Sequence, residues 1–138
     1  MQQQGAGLKL FLEEIAAFCT QHANDDALKA FVAPLAGIAK EWAEVTQAVG
    51  RRAAGNADEV GAAAVDYLFY SGYVALAYAW ARSVAAAETS SQPEDFKQAK
   101  RLTARFYFDR ILPHTRTHLA AMQAGADSIF AMPDALFG

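Results

Sequence analysis

The chain is 138 residues long with a formal net charge of −3, and 54% of its residues are hydrophobic against 20% charged. This length predicts one domain that buries on the order of two-thirds of its unfolded surface, and the charge gives no footprint for nucleic acid or an acidic membrane. The single cysteine, Cys19, excludes an internal disulfide framework. Because the residues after Met1 form no signal peptide, we expect a cytoplasmic location.

Helical periodicity starts near the N-terminus. Six apolar residues recur at the spacing of one helix face: Leu8, Phe11, Leu12, Ile15, Phe18 and Cys19. Residues 20–24 break the pattern, and Asn24 is the predicted N-cap of a second helix, whose apolar stripe runs from Leu28 to Val49. Pro34 lies about two turns inside that helix, so it predicts either a kink or a separate N-terminal turn.

A third helix is predicted after a break at residues 50–55. Asn56 and Glu59 have the spacing of a capping box, which places the helix start near Ala57. Apolar residues surround most of the helix circumference, so the helix is either central or covered on its outer face by something outside this sequence. Within it, residues 67–81 form an uncharged run of fifteen residues. A membrane span needs roughly 18–20 apolar residues, so we expect none here.

The fourth predicted helix covers residues 92–124 and follows a polar loop in which Ser91 and Glu94 again have capping-box spacing. Pro113 lies in its interior and should bend it, and Gly125 should end it. Short connections between four long helices predict an all-α fold, an antiparallel up-and-down four-helix bundle with a short apolar C-terminal tail. The large apolar residues of the tail are expected to fold back onto the bundle or to form an interface with a neighbour: Ile129, Phe130, Leu136 and Phe137.

The sequence carries little recognisable chemistry. His114 and His118 have the spacing of two metal ligands on one helix face, but the glutamate of zinc proteases is missing and arginines lie close by, so we expect no metal site. Cys19 lacks a clear basic neighbour, which favours a small core residue over a catalytic thiol. Four aromatic residues of the third helix could line a site for a small apolar ligand, although their helical spacing favours the core: Tyr67, Phe69, Tyr73 and Trp80.

Four segments of the chain resemble the C-terminal extension domain of the larger bacterial acyl-CoA dehydrogenases, which act in fatty-acid and related thioester degradation. The segments are GAGLKLFLEEI at residues 5–15, DYLFYSGYVALAYAWA at 66–81, ARFYFDRILP at 104–113 and GADS at 125–128. Each segment is moderately specific, and their order along the chain strengthens the resemblance. Together they cover nearly the whole chain.

The resemblance implies a single domain, residues 1–138, that is excised from the C-terminus of a longer FAD-dependent flavoenzyme. In that family the flavin site, the acyl-CoA site and the glutamate base lie in preceding domains, so no catalytic residue carries over to this chain. The chain alone would then be inactive and bind no cofactor. Its implied partners are the catalytic domains of its parent, in a homo-oligomer whose assembly or substrate access it shapes. The alternative hypothesis is a free-standing helical bundle that binds a small apolar ligand.

Overall fold

The computed structural model describes residues 2–138, with the side-chain environments of residues 5–138. Six α-helices follow one another: α1 (Gln2–Gln21), α2 (Lys29–Gly55), α3 (Asp58–Glu88), α4 (Glu94–Phe106), α5 (Thr115–Ala124) and α6 (Asp127–Phe130). A π-helical segment, Tyr107–Ile111, and a 3-10 turn, Leu112–His114, connect α4 to α5, and a second 3-10 turn, Asp134–Leu136, lies near the C-terminus. Residues 2–138 contain no strand, so the predicted all-α fold is confirmed.

The long helices pack as antiparallel neighbours. Between α2 and α3, Glu41 contacts Tyr70 while the later residue Thr46 contacts the earlier Tyr67. The same reversal relates α3 to the following rod of α4 and α5, which pairs Glu88 with Arg101 and Asp66 with His118. Short connections can join only helices that run in opposite directions, which accounts for the up-and-down arrangement.

Helix α3 is the central element of the bundle. It packs against α2, α4 and α5, and its Tyr78 ring makes edge contacts with Phe11 and Phe18 of α1, both at 5.5 Å. Its buried residues are mostly small, together with two tyrosines: Ala63, Tyr70, Val74, Ala77, Tyr78, Ala81, Val84 and Ala87. Small side chains on this face allow neighbouring helices to approach closely, so a narrow stripe of α3 serves as the shared core.

Two predicted helix caps are wrong and one is half formed. Asn24 makes no cap, because an extra turn precedes α2 and the Asp25 carboxylate accepts the Ala27 amide hydrogen at 3.1 Å. The predicted Ser91 box is also absent, because α4 follows Pro93, which has no side-chain cap. At α3, the Asn56 side chain does accept the Asp58 amide at 3.1 Å.

The predicted break at residues 50–55 is wrong, since α2 continues to Gly55. A single glycine costs a helix interior only about 1 kcal/mol, and the last turns of α2 are held by tertiary contacts. The Arg52 guanidinium donates to the Met122 carbonyl at 2.6 Å. Pro34 lies inside α2, which is continuous from Lys29, so the proline does not separate the first turn of α2 from the rest.

The expected disturbance at Pro113 is confirmed. A proline at this position cannot donate to the carbonyl four residues earlier, and its ring crowds that carbonyl. The chain responds by widening upstream, where the Leu112 amide donates to the Tyr107 carbonyl in a π-type bond. The rod is therefore divided into α4 and α5, with Leu112 and Thr115 buried at the division.

Gly125 ends α5, as the sequence predicts. Its φ of 76° and ψ of −170° lie in a region that is essentially restricted to glycine. The Glu59 carboxylate lies 3.4 Å from the point where a Cβ would stand. Both features make this position unfavourable for any residue with a side chain.

We predict opposite effects for two glycine-to-alanine substitutions. Gly125→Ala should lower the free energy of unfolding by about 1–3 kcal/mol, because alanine is strained at this φ and ψ. Gly50→Ala should raise it by about 0.5–1 kcal/mol, since Gly50 is helical and a Cβ there meets nothing within 4 Å. Urea unfolding followed by circular dichroism measures both changes in the free energy of unfolding. If Gly125→Ala leaves this free energy unchanged, the turn tolerates a side chain.

Candidate interaction surfaces and polar clusters

The four aromatic residues proposed to line a ligand site do not share one side of α3. The Tyr67 hydroxyl faces α2, where it lies 2.8 Å from the Thr46 hydroxyl. Phe69 and Tyr73 face α5, and both pack on the His118 ring. Trp80 is half-buried beside the core. A ligand site on this helix would therefore be built without Tyr67, and the ligand itself stays a prediction.

His118 is committed to a contact between helices. Its Nδ1 lies 2.8 Å from an oxygen of Asp66, and its ring stacks on Phe69 at 5.2 Å with the planes 10° apart. His114 instead meets the edge of Tyr73. Among residues 2–138, no group of three or more histidine, cysteine or acidic side chains is placed to hold a metal ion. The role that the geometry gives His118 is to attach α5 to α3.

Cys19 is a core residue. Its side chain is buried between α1 and α2, and its sulfur lies 3.7 Å from the Val32 carbonyl. Burial raises the pKa of the Cys19 thiol. Because the thiolate is the nucleophilic form, this environment disfavours reaction at the sulfur.

A charged cluster joins α2, α3 and α5. The Arg116 guanidinium donates to both carboxylate oxygens of Glu41, one of them at 2.9 Å, and the buried Tyr70 hydroxyl donates to the same carboxylate at 2.5 Å. The hydrogen bonds from Arg116 lower the pKa of Glu41. Burial raises the pKa of Tyr70, followed by the effect of Glu41, so the phenol stays neutral and remains a donor. No local pattern could have revealed this cluster, because Glu41 and Arg116 lie 75 positions apart.

A second cluster fixes the start of the C-terminal tail, residues 126–138. The Glu59 carboxylate accepts the Ala126 amide hydrogen at 3.3 Å and lies 3.4 Å from the Arg52 guanidinium. Arg52 in turn donates to the Met122 carbonyl. Glu59, predicted as part of a helix cap, therefore connects the N-terminus of α3 to the end of α5. Ala126 is buried as a result.

Beyond Ala126, the apolar side chains of the tail face solvent. The exposed fractions are 58% for Ile129, 60% for Phe130, 69% for Leu136 and 77% for Phe137. The expectation that these side chains fold back onto the bundle is therefore wrong. Ala126 is the one buried residue among residues 126–138, because the Glu59 carboxylate holds its amide at α3. Their predicted role as an interface stays open.

Helix α3 also exposes apolar side chains, on the face opposite its core stripe. Val65, Leu68 and Leu76 are each more than half exposed. By length and composition α3 is the one helix in residues 2–138 that could cross a membrane, and 22% of the relevant window is buried in the bundle. The central helix of a soluble bundle passes the same test, so this is weak evidence for a span. The outer face of α3 and the tail are two apolar surfaces that the bundle leaves uncovered, and Leu102 and Phe106 of α4 are exposed as well.

Comparison with protein families identifies the chain. The family described as acetyl-CoA dehydrogenase C-terminal like matches residues 11–133, from within α1 into the tail. The chain belongs to this family. A comparison with curated proteins found no match. The resemblance to a C-terminal domain of acyl-CoA dehydrogenases is thereby confirmed.

Two cavities of this C-terminal-like domain do not suit an FAD molecule, the cofactor that the family suggests for the parent enzyme. A cavity of about 330 Å³ beside the tail is lined by Asp58 and Asp127, whose carboxylates would repel a pyrophosphate. A second cavity, of about 370 Å³, lies beside Arg116. That guanidinium is already satisfied by Glu41 and is not free to hold a phosphate.

We predict a pH-dependent loss of stability for Glu41→Gln. The folded-state pKa of Glu41 is lowered, so its stabilising contribution is present above the unfolded pKa and is lost as the pH falls through the folded value. The variant should be less stable by about 1 kcal/mol at neutral pH, and the difference should disappear in acid. Urea unfolding across this pH range measures it.

The matched control is Glu13→Gln. Glu13 is exposed and only meets Lys9 at 3.9 Å, so its loss should change the free energy of unfolding by a few tenths of a kcal/mol at most. Equal effects of the two substitutions at every pH would contradict a specific role for the Glu41 cluster.

Proposed function

We propose that this chain is the non-catalytic C-terminal domain of an FAD-dependent acyl-CoA dehydrogenase and that it packs on the catalytic body of its parent. Family membership over residues 11–133 is the observation that carries the proposal. The exposed tail gives it a physical basis, since four large apolar side chains stand in solvent at one end of the bundle. Such an exposed group of side chains in a soluble protein is typical of an interaction site.

The tail is built to present these side chains rather than to bury them. Its first residue is fixed by Glu59, and α6 and the following 3-10 turn give the rest a defined local fold. Burying a single phenylalanine is worth about 1.5–3 kcal/mol. Asp127 and Asp134 stand among the apolar residues, so the complementary surface on the catalytic body should be an apolar groove with basic residues at its rim.

The domain would act through contact rather than chemistry. By covering part of the catalytic body it would shape the oligomer or narrow the path of the acyl-CoA substrate. FAD in the parent, a role in fatty-acid degradation and a cytoplasmic location belong to this proposal and rest on the family. The alternative, a free-standing bundle that binds a small apolar ligand, gains no support from the placement of Tyr67 on the opposite side of α3 from Phe69 and Tyr73.

We predict that the purified 138-residue chain is colourless and shows no dehydrogenase turnover with any acyl-CoA. The physical reason is the acidic lining of one cavity and the satisfied arginine of the other. Visible absorbance and a dye-reduction assay measure this, with an intact acyl-CoA dehydrogenase as the positive control. A flavin band at near-equimolar stoichiometry would show that the chain has its own cofactor site.

We predict that the tail carries the affinity for the catalytic body. The chain should bind the flavin-containing part of an acyl-CoA dehydrogenase from the same organism and raise its melting temperature. Replacing Phe130 and Phe137 together with glutamate should weaken binding by at least about 100-fold, as expected for two buried aromatic side chains. Calorimetric titration measures the affinity.

Leu102→Glu on α4 is the matched control, because Leu102 is 57% exposed and lies outside the tail. It should leave the affinity within about twofold of the original value, a change of less than 1 kcal/mol. If the tail variant binds as well as the unchanged chain, the tail is not the docking element.

A further inference from the structure

We propose that the outer face of α3 is a self-association surface, on which a second copy of this chain lays its own α3 antiparallel about a two-fold axis at Gly72. The face consists of residues at intervals of three or four along the helix: Gly61, Val65, Leu68, Gly72, Leu76 and Ala79. All six are exposed. This spacing is the one by which helices pack side by side in bundles and coiled coils.

No charge interrupts this face between Asp58 and Arg82. The other two charged residues of that stretch point elsewhere, since Glu59 holds Ala126 and Asp66 holds His118. In a monomer the face would leave Leu68 70% exposed and Val65 64% exposed. These are apolar side chains on a rigid helix, so a partner could bury them without any rearrangement of the bundle.

Gly72 gives the face its self-complementary shape. It lies next to the midpoint of Asp58–Glu88, and a Cβ at this position would meet nothing within 4 Å. Within one chain, alanine would fit there and would favour the helix more than glycine does. A glycine on the outside of a helix is explained if another backbone passes directly over it.

Leucines stand four positions before and after Gly72, and the apolar residues Val65 and Ala79 stand seven positions before and after it, which selects a second copy as the occupant. A two-fold axis at this residue would place Leu68 opposite Leu76 of the second copy and Val65 opposite its Ala79. Isologous contacts of this kind require that one patch be complementary to itself.

The size of the face predicts a weak dimer. From Gly61 to Ala79 it is roughly 27 Å long and about 10 Å wide, or on the order of 300 Å² on each copy. A stable interface of standard size covers about 800 Å² on each partner. We therefore expect reversible association of the isolated chain in the micromolar range or weaker. The tail takes no part in this contact.

Cysteine cross-linking tests the register directly. Gly72→Cys should form a disulfide-linked dimer under mild oxidation, because helices about 8–10 Å apart bring the two copies of residue 72 within disulfide range at the axis. Ala79→Cys alone should not, since its two copies would be about 20 Å apart along the helices. A mixture of Val65→Cys and Ala79→Cys chains should cross-link to each other. The unchanged chain, with its buried Cys19, controls for the native thiol.

Sedimentation measurements test the surface independently of disulfide chemistry. Leu68→Glu with Leu76→Glu should weaken association at least tenfold, while Leu102→Glu and the tail variant with Phe130→Glu and Phe137→Glu should leave it unchanged. Loss of association in the tail variant instead would overturn this proposal without affecting the role of the tail in docking. A monomer at millimolar concentration would also overturn the proposal. Equal cross-linking of Gly72→Cys and Ala79→Cys chains would do the same. Phospholipid vesicles provide a further test. If they take up the chain, Leu68→Glu abolishes this uptake and Gly72→Cys chains do not cross-link, the face binds lipid and the proposal of self-association is overturned.

Discussion

The fold depends on one narrow stripe of α3 that α2, α4 and α5 share. Alanine and valine occupy most of that stripe, with Tyr70 as its one fully buried aromatic ring. Because small side chains bring helix axes close together, the stripe satisfies α2, α4 and α5 at once without filling a wide core. Because only this narrow stripe is buried, the opposite side of α3 is left without a neighbour. Val65, Leu68 and Leu76 lie on that outer side, where the bundle supplies no neighbour.

Polar contacts then fix how the helices align along the shared stripe. A stripe of alanines permits several registers, since one small residue packs much like the next. One register among α2, α3 and α5 is specified by the contacts of Tyr70, Glu41 and Arg116. The contact between Asp66 and His118 specifies the register of α5 relative to α3 independently. These contacts are partly exposed, so each is worth little alone. Their value lies in the cost of any misaligned register, which would bury the Tyr70 hydroxyl without a partner.

The sequence was sufficient for the features that depend on periodicity and on backbone chemistry. The four long helical stretches, the disturbance at Pro113 and the stop at Gly125 follow from helix period, the missing proline hydrogen and a conformation that only glycine adopts. The sequence alone was insufficient for features in which tertiary contacts compete with local conformational preference. The contact between Arg52 and Met122 stabilises α2 beyond Gly50. Glu59 accepts a hydrogen bond from the Ala126 amide instead of forming the predicted cap. The Glu41 cluster was missed for the same reason, since its members come from three different helices.

The tail and the outer face of α3 differ in ways that suit different partners. The tail has acidic residues among its aromatic ones and an asymmetric shape, which favours a partner of different structure with complementary charge. The outer face of α3 is uncharged, straight and symmetric about Gly72, which favours its own copy. A domain of this kind can link a catalytic body to a second protomer through opposite parts of one rigid bundle, because α3 contributes its N-terminus to the Glu59 contact and its middle to the outer face. The rigidity of α3 would then set the relative positions of the two partners.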